Sequence, residues 1–114
     1  MTRVCFQLRV RADRLAEYRE RHAAVWPEML REIAASGRTD YSIFLGPDGL
    51  LVGYYEVADK AASERYLAAS PVAARWEAEM ADFFTDLDGR PDQGATELTE
   101  IFNLDAQLTA AEGR

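Results

Sequence analysis

Residues 3–10 alternate, with Val4, Phe6, Leu8 and Val10 on one side and Arg3, Cys5, Gln7 and Arg9 on the other, the period-two signature of a half-buried strand. The period then changes to that of a helix. Leu15, Tyr18, His22, Trp26, Met29 and Ile33 recur at spacings of three and four, which predicts an amphipathic helix N-capped by Asp13 and ending near Gly37. Pro27 interrupts that pattern, because it lacks an N–H and restricts Trp26 before it, so a kink or break is expected there. Residues 39–45 and 50–57 are rich in β-branched and aromatic side chains, and Gly46-Pro47-Asp48-Gly49 between them predicts a hairpin. An Ala-rich stretch from Asp59 to about Thr85 predicts two helical pieces that restart at Pro71 after Ser70, with Trp76, Met80, Phe83 and Phe84 as the apolar stripe. Residues 88–94 are breaker-rich and predict a surface loop, residues 97–104 a last strand, and the tail 105–114 is expected to fray.

The resulting order of strand, helix, strand, strand, helix, strand is the split βαβ pattern of an α+β, ferredoxin-like fold, with one four-stranded sheet carrying helices on one face. Residues 1–104 are expected to form a single domain, with residues 105–114 as a flexible tail. The hairpin, however, places large groups on both sides: Tyr41, Ile43 and Leu45 against Phe44, and Leu51 and Tyr55 against Val52 and Tyr54. The second face therefore also needs cover, which motivates the expectation of a homodimer.

Charge narrows the partners. With Lys and Arg totalling 13 against 20 Asp and Glu, the net charge is −7, and no basic run offers a footprint for nucleic acid or an anionic membrane surface. Cys5 is the single cysteine, so no intrachain disulfide is possible, and the N-terminal segment carries Arg3, Arg9 and Arg11 where a secretory signal needs an apolar stretch. A cytoplasmic location is expected.

His22 is the one side chain whose ordinary pKa lies near neutrality, so acid–base chemistry at pH 7 is most simply assigned to it. The competing reading is a hydrogen-bonded packing histidine on a helix stripe. Its neighbours on that stripe are Tyr18 one turn before and Trp26 one turn after, and such a cluster either lines a pocket or forms core. Tyr41 and Trp76 are further candidates for aromatic walls suited to a small polyol, whose C–H face is apolar and whose rim is hydroxylated. One histidine and one cysteine cannot assemble a zinc site, the carboxylates lack calcium-loop spacing, and no glycine-rich phosphate loop or nucleophile elbow is present. No metal or cofactor is implied, which leaves cofactor-free proton transfer or binding alone. Cys5 reads as a small core filler, and Glu17, Glu20, Glu28 and Glu32 as a solvated helix face interleaved with arginines.

One combination is specific: Tyr18, His22 and Trp26-Pro27-Glu28 in the first helix, Tyr41-Ser42-Ile43 on a strand, the Arg75-Trp76 pair, and the closing Glu97-Leu98-Thr99-Glu100-Ile101-Phe102. Together they resemble the L-rhamnose mutarotase family, over Val4 to Leu104. The resemblance implies a dimeric α/β barrel and interconversion of the α and β anomers of L-rhamnose, with His22 as proton donor and Tyr18, Tyr41 and Trp76 as sugar contacts. The family commonly has a second tryptophan directly after the first, where this chain has Glu77, a hydroxyl acceptor that puts a related 6-deoxyhexose or pentose in play as substrate. In the implied mechanism His22, as imidazolium, protonates the ring oxygen, while water, Tyr18 or Tyr41 accepts the anomeric proton. The alternatives are a cofactor-free monooxygenase-like enzyme of the same barrel class, and a small-molecule-binding module.

Overall fold

The computed structural model describes residues 1–113. The strands are β1 (Thr2–Arg9), β2 (Arg38–Leu45), β3 (Leu50–Val57) and β4 (Thr96–Leu98); the helices are α1 (Leu15–Ala23), α2 (Pro27–Ala35), α3 (Lys60–Ala69), α4 (Pro71–Met80), the short α5 (Pro91–Gly94) and α6 (Leu104–Glu112). The strands pair antiparallel in the order β2-β3-β1-β4, the ferredoxin-like arrangement expected from the element order. Alternation decides the faces. Leu51, Gly53, Tyr55 and Val57 of β3 and Val4 of β1 are buried on the helix-covered side. Val10, Tyr18, Met29, Leu67, Trp76, Met80, Phe83 and Phe84 complete the core.

Two local features shape the sheet where the helices meet it. The β2–β3 register slips by one residue between Thr39 and Ser42, so that Asp40 and Tyr41 together oppose Tyr55. Asp40 takes the left-handed conformation at φ 50°, and this bulge turns Tyr41 onto the helix side, the same side as Arg38 and Ile43. Phe6 lies opposite Gly53, and a Cβ at Gly53 would fall 2.1 Å from the Phe6 ring. Glycine is therefore the seat on which the ring rests, holding it within 6.3 Å of both Tyr41 and Tyr55.

Proline and capping chemistry segment the helices. Pro27 breaks the first helical region outright: α1 stops at Ala23 and α2 begins at the proline itself, with Trp26 extended before it. Asp59 accepts a hydrogen bond from the Ala62 N–H at the start of α3, and Ser70 accepts one from the Ala73 N–H at the start of α4.

Four expectations are corrected. Asp13 is not a cap: residues 12–14 form a 3-10 turn, and α1 starts with no side-chain cap at all. The chain is anchored there by backbone bonds instead, from Val10 N–H to Gly49 and from Arg11 N–H to Phe83. The last strand is only three residues long, pairing with Cys5–Gln7 of β1 at the edge of the sheet, and residues 99–103 form no strand. The tail expected to fray carries helix α6, started by Asn103, whose side chain accepts from the Ala106 N–H; Arg114 lies outside the described residues. Cys5 is not core filler but sits half-buried on the open face, opposite Tyr54 and Leu98.

That open face is apolar in patches. Phe44 is 65% exposed and Leu98 43%, and beyond β4 Ile101 is 92% exposed, so in a single chain these groups stand in water. No helix among the described residues is long and apolar enough to cross a membrane.

Candidate active site

Between the sheet and the helices lies a cleft with a lobe of about 110 Å³ and an adjoining one of about 380 Å³, the latter in the range of small-molecule sites. His22 from α1, Arg38 and Tyr41 from β2, Trp76 and Glu77 from α4 and Asp92 from α5 line both lobes. Tyr18 lines the smaller lobe. Five of the six side chains singled out from the sequence thus converge. Trp26 does not face the cavity; it packs edge-on behind Trp76, with ring centroids 5.1 Å apart, and stiffens the wall from outside.

His22 is fixed by its own helix. Its Nδ1 lies 3.1 Å from the Tyr18 carbonyl oxygen, and because a carbonyl can only accept, Nδ1 carries the proton and Nε2 is left for the cavity. The imidazole stacks on the Tyr18 ring at 4.2 Å and 10°, and meets the edge of Trp76 at 5.5 Å. Tyr18 is itself clamped by edge-to-face contacts with Phe83 and Phe84, so the histidine rests on a rigid base. Burial among these rings lowers the pKa of His22 below its ordinary value, an effect that outweighs the opposing hydrogen bond to the Tyr18 carbonyl. At pH 7 the imidazole is therefore chiefly neutral, and its free nitrogen is a base.

The phenols behave differently. Burial pushes Tyr41 up to about 12 and raises Tyr18 further, with the Glu77 charge adding to both, so each keeps its proton and serves as a hydroxyl for hydrogen bonding rather than as a base. The Glu77 carboxyl is raised to about 7, first by burial and then by the nearby charge of Asp92, against the smaller opposing effects of Arg90, the Asp92 N–H and Arg38. Arg38 donates from Nε to Ser63 Oγ at 2.9 Å and lays its guanidinium 4.1 Å from the Tyr55 ring centroid.

Arg38 and Asp92 were missed in the sequence. Strict alternation from residue 39 gave no reason to pair Arg38 with Tyr41, since only the bulge brings them to one face. Asp92 lay in a stretch read as surface loop. The helix carboxylates are mostly solvated as expected, but Glu32 accepts hydrogen bonds from Tyr66 and Ser70 and ties α2 to the α3–α4 junction. Among the described residues no cluster of three or more His, Cys, Asp and Glu is placed to hold a metal ion.

Comparison with known proteins decides the family. The model describing L-rhamnose mutarotase matches residues 3–104. The chain belongs to the L-rhamnose mutarotase family. It is 35% identical to an L-rhamnose mutarotase of Enterococcus faecalis, covering 91% of this chain and 100% of that protein, and 39% identical to one of Burkholderia orbicola, covering 92% and 100%. Among solved structures it superposes on an L-rhamnose mutarotase of Formosa agariphila with a TM-score of 0.74 and 25% identity, over 91% of this chain and 99% of the other. A TM-score of 0.54 with tetracenomycin F2 cyclase of Streptomyces glaucescens, at 18% identity over 90% and 96% of the two chains, speaks to the shared fold alone.

Because His22 is the sole histidine, its Cε1 proton gives a single titrating NMR signal. The expected midpoint lies below about 6.5, the ordinary value. A midpoint at or above it would contradict the half-buried, neutral imidazole. The linked contribution of His22 to stability falls as pH drops through that range, because the unfolded chain takes a proton that folded His22 resists, while Glu77, whose folded carboxyl holds its proton more tightly, contributes in the opposite sense.

Proposed function

We propose that this chain interconverts the α and β anomers of L-rhamnose, or of a closely related 6-deoxyhexose or pentose, by cofactor-free opening and closing of the sugar ring, with His22 as the proton-transferring group. What supports the reading is a family match spanning residues 3–104 together with the meeting of Tyr18, His22, Tyr41 and Trp76 in one cleft. It is favoured over the oxygenase and binding-module alternatives because the relatives that carry a name for their activity at 35–39% identity are mutarotases.

Opening the ring breaks the bond between the anomeric carbon and the ring oxygen; the ring oxygen gains a proton and the anomeric hydroxyl loses one, leaving an open-chain aldehyde. Rotation of the aldehyde and reclosure on its other face returns both protons and inverts the anomeric centre. His22 lines the cavity with Nδ1 held by the Tyr18 carbonyl, so in this reading the free Nε2 takes a proton in one half of the cycle and returns it in the other. Trp76 offers its indole to the C–H face of the sugar, and the protonated Tyr18 and Tyr41 hydroxyls hydrogen-bond its rim. Residues 1–104 form the catalytic domain in this reading. The exposed Phe44, Leu98 and Ile101 fit an interface with a second copy of the chain, and the single free Cys5 suits a reducing cytoplasm.

With L-rhamnose at anomeric equilibrium, magnetisation exchange between the two anomeric protons is expected to appear with the wild-type protein and to fall about 10²-fold or more in His22→Ala; undiminished exchange in that variant would remove His22 from the chemistry. Tyr18→Phe is expected to raise KM with kcat little changed, and an unaltered KM would count against its role as a sugar contact. Sedimentation at micromolar concentration is expected to give a dimer, and a monomer alone would refute the interface.

A further inference from the structure

Anomer exchange needs two proton positions, one at the anomeric oxygen and one at the ring oxygen, and the mutarotase reading above supplies only one. Neither tyrosine is a base at neutral pH, for the reason given above. A neutral His22, in turn, has no proton at Nε2 to give in the opening step. The opening step still needs an acid.

One side chain in the cleft is placed to be that acid. Glu77 lies next to Trp76 on α4, and both lobes of the cavity are lined by Glu77 together with His22 and with the Trp76 indole that meets the His22 ring. A carboxyl placed there for structural reasons would be expected to carry an ion-pair partner. Glu77 has none among the described residues. Facing it from β2, Arg38 is directed to Ser63 and Tyr55; facing it from the α5 end, Arg90 makes two hydrogen bonds to Asp92, at 2.9 and 2.8 Å. Both cations are thus bonded to other groups and offset the Glu77 charge only from a distance; the carboxyl accepts the Asp92 N–H, and the other cleft groups around it, the Asp92 carboxylate from α5, Tyr41 from β2, and Tyr18 and His22 from α1, supply no ion-pair partner. Glu64 of α3 and Glu97 of β4 line the smaller lobe and add negative charge, though each is bonded to Lys60.

We propose that Glu77 is the second proton-transfer group of this site: its carboxyl protonates the ring oxygen while His22 Nε2 takes the anomeric proton. The step balances. The C–O ring bond breaks with its electron pair going to the ring oxygen, which takes the Glu77 proton; the O–H electrons of the anomeric hydroxyl form the aldehyde C=O, and their proton goes to His22. Reclosure reverses each transfer, returning a neutral imidazole and a protonated carboxyl, so the pair is reset after every turnover. The pKa directions found for the two groups agree with these roles, a histidine lowered and a carboxyl raised by the same burial.

This inference rests on the mutarotase reading, and the test separates the two. Anomer exchange on L-rhamnose would be followed from about pH 5 to 9, with the spontaneous rate subtracted, for wild type and Glu77→Gln, a substitution that keeps size and hydrogen bonding but cannot release a proton. Wild type is expected to show a bell, its acid limb set by His22 and its alkaline limb by Glu77 near 7. Glu77→Gln is expected to lose the alkaline limb and about 10²-fold in kcat at the optimum, with KM moved less than about threefold. A variant that keeps wild-type kcat and an unmoved alkaline limb, or that changes only KM, would overturn the proposal while leaving the mutarotase intact. A wild type with no exchange above the spontaneous rate would overturn both.

Discussion

The hydrogen bond from His22 Nδ1 to the Tyr18 carbonyl, four residues back on the same helix, is the constraint on which the site depends. It sets the tautomer, since the carbonyl can only accept, and so it decides that Nε2 is the nitrogen offered to the cavity. It also holds the imidazole flat on the Tyr18 ring, which Phe83 and Phe84 brace in turn. An exposed histidine would rotate freely and titrate near its ordinary value. This one is oriented and, at pH 7, chiefly neutral.

The rest of the fold brings the other walls to the histidine. The β2 bulge turns Tyr41 inward, Gly53 leaves room for Phe6 beneath it, and the Ser70 cap with Pro71 at the first turn sets the start of α4, which delivers Trp76 and Glu77 on consecutive positions. Burying these groups raises or lowers their pKa values, so the cleft is maintained against the tendency of its charges to find water. The apolar open face of the sheet and the exposed segment beyond β4 are the complementary feature, surface left uncovered by one chain.

The sheet order, the hairpin and the break at Pro27 were legible in the sequence because each rests on strong local chemistry: alternation in β1, four turn residues from Gly46 to Gly49, and a proline in mid-stripe. The cleft was legible through residue type and helical spacing at Tyr18, His22 and Trp76. What escaped was set by tertiary geometry. The bulge at Asp40 depends on the partner strand and reassigns Arg38; the length of β4 depends on how much of β1 it can pair with; and the orientation of Trp26 depends on where the chain leads after α1 ends. Asn103 was a readable helix start, yet the segment after it has too little apolar periodicity to stand out.

The central claim is that the sugar reacts in the cleft between the sheet and α1 and α4, with its anomeric centre at His22. A crystal structure of the protein soaked with L-rhamnose tests it most directly. The account predicts the pyranose ring against Trp76, with the anomeric or ring oxygen within about 3 Å of His22 Nε2. A sugar found on the open face of the sheet, or in the cleft with both oxygens turned away from the imidazole, would contradict it.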